Sequence, residues 1–175
     1  MKRSLATRLT LLATAMGAFA ALPAAAQTPP ATTGDTPRTA EVVAEVSTER
    51  TVVAVPAFAT PAVVNVAGLS TGTLGRQIAD VIAADLERSG LYAPLGPGSV
   101  RAITMGEVRA PQFADWQARN ADNVVHGFVQ ASSTGGLVVG CYLYDTALQT
   151  ELVRQGYEIQ PGDWRRAAHK CADAI

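Results

Sequence analysis

The sequence predicts an α/β fold of the α+β kind, in which helices pack on a single mixed β-sheet in the order β-α-β-α-β-β-β-α. Three observations carry that expectation. One strongly periodic helix, with Leu74, Ile78, Val81, Ile82 and Leu86 at i, i+4, i+7, i+8 and i+12, stands between two apolar strand-like runs. Three further strand-like runs follow, joined by links short enough to favour antiparallel hairpins. A last amphipathic helix then closes a chain of 175 residues, a length that suits one domain with a proper core.

Residues 1–26 stand apart from that domain. Lys2, Arg3 and Arg8 make a basic start, residues 9–22 are an almost uncharged apolar run, and Ala24-Ala25-Ala26 offers small residues for cleavage before Gln27. The run falls short of the roughly 20 apolar residues that span hydrocarbon, so a cleaved secretory signal is expected and no membrane span after it. Residues 27–38, QTPPATTGDTPR, hold three prolines and no bulky apolar side chain, the composition of a disordered linker.

The folded region is expected from residue 39 to residue 175. Residues 42–46 and 51–58 are β-branched extended runs separated by Ser47-Thr48-Glu49. The second is apolar throughout, as for a strand covered on both faces, with its pairing broken near Pro56. Residues 61–72 read as a loop of small residues. The periodic helix follows and stops at Ser89-Gly90, a left-handed C-cap; Arg76, Asp80 and Arg88 fall on its other faces. A short strand at 91–95, a GPGS turn and a short helix from Phe113 through Trp116 to Arg119 come next. The three hairpin strands are residues 124–131, 137–145 and 152–160. Asp163 then stands where an N-cap carboxylate accepts the first free N–H groups of the last helix, whose stripe is Trp164, Ala167, Ala168, Cys171 and Ile175.

Charge and composition exclude several classes. Loss of the signal removes three of the 14 basic residues and none of the 15 acidic ones, leaving 11 against 15, a formal charge of −4. No Lys/Arg cluster precedes the last helix, so the several cations on one face that nucleic acid needs are missing. The two histidines, His126 and His169, lie in a strand and a helix, and no Ser or Cys stands in a nucleophile-elbow or papain-like setting. Asp80 and Asp85, five apart on a helix, read as solvated charges. No catalytic residues, metal site or cofactor are expected: His169 and Cys171 point about 200° apart on a helix and cannot aim at one ion. Cys141 shares the apolar face of its strand with Val139 and Leu143, and Cys171 lies in the buried helix stripe. A helix on that sheet brings the two sulfurs together, either as a disulfide or as two buried thiols.

The blocks IADVIAADLERSGLYAPL (78–95), NVVHGFVQ (123–130) followed by GCYLYD (140–145), and GDWRRAAHKCADAI (162–175) resemble the N-terminal domain of the TolB family, in an alphaproteobacterial variety. The resemblance covers residues 41–175. It implies a periplasmic, non-enzymatic component of the Tol-Pal envelope system that supports outer-membrane integrity and constriction during cell division. It implies also that a six-bladed β-propeller carrying the contact with the lipoprotein Pal should follow; this sequence shows no such repeat, so a truncated sequence or fragment is expected. In the family the extreme N-terminus binds TolA. The run at that place here is Glu41, Val42, Val43, Ala44, Glu45 and Val46, within residues 39–47, and the linker ahead of it is longer than the family usually has. Such a β-branched run can add as a strand to the edge of the C-terminal domain of TolA, or pair within its own domain. Two rival readings remain. One is a self-contained periplasmic adaptor without a propeller; the other is a thiol oxidoreductase, disfavoured because its cysteines are 30 apart rather than in a Cys-x-x-Cys pair.

Overall fold

The computed structural model describes residues 49–175; the expected signal segment, the linker and the Glu41 to Val46 run lie outside them. The central sheet has the order β4-β1-β5-β6-β7. Strand β1 (Thr51–Ala54) is parallel to both β4 (Tyr92–Leu95) and β5 (Asn123–Ala131), while β5, β6 (Leu137–Asp145) and β7 (Thr150–Ile159) form an antiparallel meander. Helices α1 (Thr71–Ser89), α2 (Phe113–Gln117) and α3 (Trp164–Asp173) complete the predicted order.

Strand β1 is an interior strand because it is apolar on both faces: Val53, Ala54 and Val55 are fully buried. Its ladder ends at Ala54, short of the predicted run, because Pro56 has no N–H to give. The chain still follows the sheet. Ala59 donates to the Gly127 carbonyl and accepts from Val129, both at 2.9 Å, and Phe58 donates to the Gly75 carbonyl at 3.0 Å.

The small-residue loop differs from expectation, since it holds a separate two-stranded sheet, β2 (Asn65–Val66) with β3 (Leu69–Ser70). Ala67 and Gly68 turn it with φ of 49° and 82°, the positive pair a tight hairpin needs. Ala-Gly lacks the Asn-Gly signature, which is why sequence reading passed over it. The buried Thr71 ties this loop to α1: its hydroxyl donates to the Ala62 carbonyl and accepts from Val64 N–H, both at 3.0 Å.

Leu74, Ile78, Ile82 and Leu86 of α1 bury their side chains against one sheet face, each worth about 1.5–3 kcal/mol of burial. Gly90, at φ 75°, caps the helix by donating to the Glu87 carbonyl. Gly75 lets α1 lie against the backbone of residue 58, since a Cβ there would stand 2.2 Å from the Phe58 carbonyl oxygen. The opposite sheet face is covered by irregular chain and α2, with Ile103, Val108 and Trp116 packed on Val124, Tyr142 and Tyr144. Helix α2 is shorter than predicted, because Ala118 to Asn120 leave it in turns and Asn120 takes φ 54°.

Two features of the last third also depart from the reading. Strand β7 starts at Thr150, since a bulge lets Tyr144 face Glu151 and sets Leu152 outside the ladder. Asp163 makes no side-chain cap bond. A 3₁₀ turn, Pro161–Asp163, runs directly into α3, so Asp163 sits at φ −89°, ψ 5° rather than in the extended conformation a capping residue uses.

Candidate partner-binding surface

The predicted partner strand, Glu41 to Val46, precedes the described residues, so the surface it could meet or share is defined by the sheet edges. β1 has neighbours on both sides and offers no edge. Its first amide, Thr51 N–H, donates to Leu91 at 3.0 Å, and Val52 N–H is held by the Asp122 carboxylate at 2.8 Å. β4 is blunted. Because Thr51 and Val55 donate to Leu91 and Leu95, alternate residues of β4 face β1, and Tyr92 and Pro94 face outward. Pro94 has no donor, so that edge cannot template a ladder.

β7 is different. It is ten residues long, mostly exposed, and last in a meander, which leaves it outermost among the described strands. An open groove runs between it and α3, bordered by Tyr157, Glu158, Ile159, Asp163, Arg166 and Lys170. Lys170 stands over the Tyr157 ring at 5.5 Å, and the Tyr157 hydroxyl donates to the Lys170 carbonyl. Glu158 accepts from the Ser132 and Thr134 hydroxyls at 2.6 and 2.9 Å, which holds its carboxyl below the usual range.

Behind this edge the sheet and α3 meet at two cysteines. Cys141 and Cys171 stand at disulfide distance, with Cα atoms 6.2 Å apart, and both are buried between sheet and α3. Asp85 is not the solvated charge expected of it: its side chain is 20% exposed, and it accepts from His169 of α3 as well as from Arg88. Asp85 lies on the flank of α1 that meets α3, a proximity that no spacing within one helix reveals.

On the opposite face a polar cluster holds irregular chain to the sheet. Arg101 donates to Glu107 at 2.6 Å and to Asp115 at 2.8 Å. The hydrogen bond from Arg101 draws the Glu107 carboxyl down to about 2. His126, fully buried in β5, donates from Nδ1 to the Glu107 carbonyl at 2.8 Å, and burial pushes its pKa down to about 4. Its Nε2 has no partner among the described residues, nor has Nε1 of Trp116, whose ring stands edge-on to the imidazole at 5.6 Å. The Tyr144 hydroxyl donates to the Val108 carbonyl at 3.0 Å, and burial raises its pKa to about 12. His126 and His169 therefore serve two separate structural contacts, and each cysteine faces the other rather than a histidine.

A five-stranded mixed sheet packed by helices, with one edge blunted by Pro94 and the other ending in a strand that has no neighbour among the described residues, defines an α/β domain. The chain belongs to the TolB amino-terminal domain family, whose model matches residues 42–152. It is 63% identical over 165 residues to the Tol-Pal system protein TolB of Sphingopyxis alaskensis, covering 94% of this chain and 36% of that protein. It is 51% identical over 126 residues to Tol-Pal system protein TolB 1 of Novosphingobium aromaticivorans, covering 70% and 28%. The chain thus spans about a third of the curated relatives it matches. Among solved structures, TolB from Acinetobacter baumannii shares the fold at a TM-score of 0.54 and 24% identity, over 73% of this chain and 27% of that one. Among the described residues, no helix is long and apolar enough to cross a membrane.

Proposed function

We propose that this chain is a periplasmic, non-enzymatic interaction module of the Tol-Pal system, exported with its signal removed before Gln27. It binds the C-terminal domain of TolA through Glu41 to Val46 and so supports outer-membrane integrity and constriction at division. The observation that carries the reading is the family match itself, which begins at Val42 and takes in Val42 to Val46 of this run. The run supplies main-chain donors and acceptors for strand addition, and binding of that kind depends on backbone more than on any one side chain. On this reading contact with Pal is made by a propeller and not by this domain.

Calorimetry against the C-terminal domain of TolA tests the reading. Val43→Pro removes one N–H and fixes φ, so it weakens binding far more than Val43→Thr, which keeps the β-branched shape and the donor. Unchanged affinity after deletion of residues 27–46 would place the binding surface on the folded domain instead. Mass spectrometry of exported protein checks the first residue, and Met1 retained there refutes signal removal.

A further inference from the structure

The free edge of β7 is complementary to itself. On β5, Gly127 and Val129 bond to Ala59 on the β1 side, so the even-numbered residues of β5 bond to β6. Carrying the alternation across the register, the odd-numbered residues of β6 bond to Val153, Gln155, Tyr157 and Ile159 of β7. The main-chain groups of Arg154, Gly156 and Glu158 therefore point away from the sheet, with no strand among the described residues to receive them. This stretch lies wholly beyond the bulge at Leu152, so nothing interrupts its ladder.

We propose that two copies of this chain associate through β7, antiparallel about a twofold axis at Gly156, joining their five-stranded sheets into one. The register follows from the sequence. Antiparallel pairing centred on Gly156 sets Gly156 against its own copy, Arg154 against Glu158 of the second copy, and Glu158 against Arg154. All three are outward-facing residues meeting outward-facing residues, so each pair exchanges two hydrogen bonds. On the α3 face the same register puts Val153 opposite Ile159 and Gln155 opposite Tyr157.

Charge and shape select this occupant. A one-step slip would set residues bonded to β6 against outward-facing ones and lose the ladder. Two unlike charge pairs form by symmetry, and unlike charges directly opposite stabilise a sheet while like charges oppose it. Arg154 already holds Glu151 through Nε and Nη2, at 2.8 and 2.9 Å, and these bonds leave its Nη1 for the second carboxylate. Gly156 has open space where a Cβ would be, so no side chain stands at the axis. The short edge strand β4, with Pro94, shows the usual protection against such pairing; this half of β7 has neither proline nor bulge.

Sedimentation velocity of the full chain, from low micromolar to several hundred micromolar, reads the association directly and is independent of TolA binding. A concentration-dependent dimer is expected. Gly156→Pro removes an N–H that faces away from β6, so it abolishes the dimer while circular dichroism stays that of the parent. Arg154→Glu and Glu158→Arg each place like charges across the axis and weaken association about tenfold. Mixing these two variants restores it, because the heterodimer again opposes unlike charges at both pairs. A full chain that stays monomeric throughout the range overturns the proposal. So does a dimer indifferent to all three substitutions, or one that forms only after residues 27–46 are deleted, which would assign the edge to that segment.

Discussion

Acid should destabilise this domain through one buried imidazole. His126 has a pKa of about 4 when folded, against 6.5 for the free side chain, because burial removes water from its charged form. Its Nδ1 already donates to the Glu107 carbonyl, and a second proton on Nε2 would meet no acceptor among the described residues. Between pH 6.5 and 4 the unfolded chain therefore holds a proton that the folded chain refuses. Stability is fully present above pH 6.5 and falls with pH by up to about 1.4 kcal/mol per unit. The loss is about 2 kcal/mol from pH 7 to pH 5, and about 3 kcal/mol by pH 4. Glu107, whose folded pKa is about 2, adds a loss of the same sign only below about 4.5, so the window from pH 7 to 5 separates the His126 contribution from that of Glu107. Urea unfolding across that window is the assay, with His126→Leu as comparison. The variant starts about 1–3 kcal/mol lower, because the Glu107 carbonyl loses its donor, but its stability changes little from pH 7 to 5. A parent midpoint that is flat over this range, or a variant that keeps the parent's slope, would refute the reasoning.

Three other outcomes follow from the packing. Two alkylatable thiols in unreduced, denatured protein would contradict a disulfide between Cys141 and Cys171; if formed, its removal by Cys141→Ala with Cys171→Ala costs about 3–4 kcal/mol for a separation of 30 residues, measured by thermal or urea unfolding. Gly75→Ala gains about 1 kcal/mol in helix propensity, yet the new Cβ would sit 2.2 Å from the Phe58 carbonyl oxygen, so a net loss is expected and a raised melting temperature would contradict it. Tyr144→Phe leaves the Val108 carbonyl without its donor and lowers stability by about 1–2 kcal/mol, with loss of amide-exchange protection concentrated in the chain before α2.

Much of the fold is legible in the sequence because its signals are local. The Leu74 to Leu86 periodicity, the Ser89-Gly90 stop and the hairpin spacings of the meander each depend on residues within a few positions of one another, and each element forms where those signals stand. The small hairpin at residues 65–70 escaped because Ala67 adopts positive φ without the residue type that announces it. Asp163 misled because the capping rule assumes an extended residue before the helix, and Pro161 starts a 3₁₀ turn there instead.

The amino-acid order by itself determined the sequence of strands and helices, the stripes they bury, and the shared apolar face that brings Cys141 toward Cys171. Only the tertiary structure decided which edge of the sheet is left without a neighbour among the described residues, that Asp85 meets His169, and that His126 is sealed from water. These depend on which strands become neighbours and on which alternate main-chain groups each neighbour uses. That choice is made by long-range pairing between β1, β4 and β5, residues roughly 40 to 70 positions apart, and no local pattern of side chains encodes it.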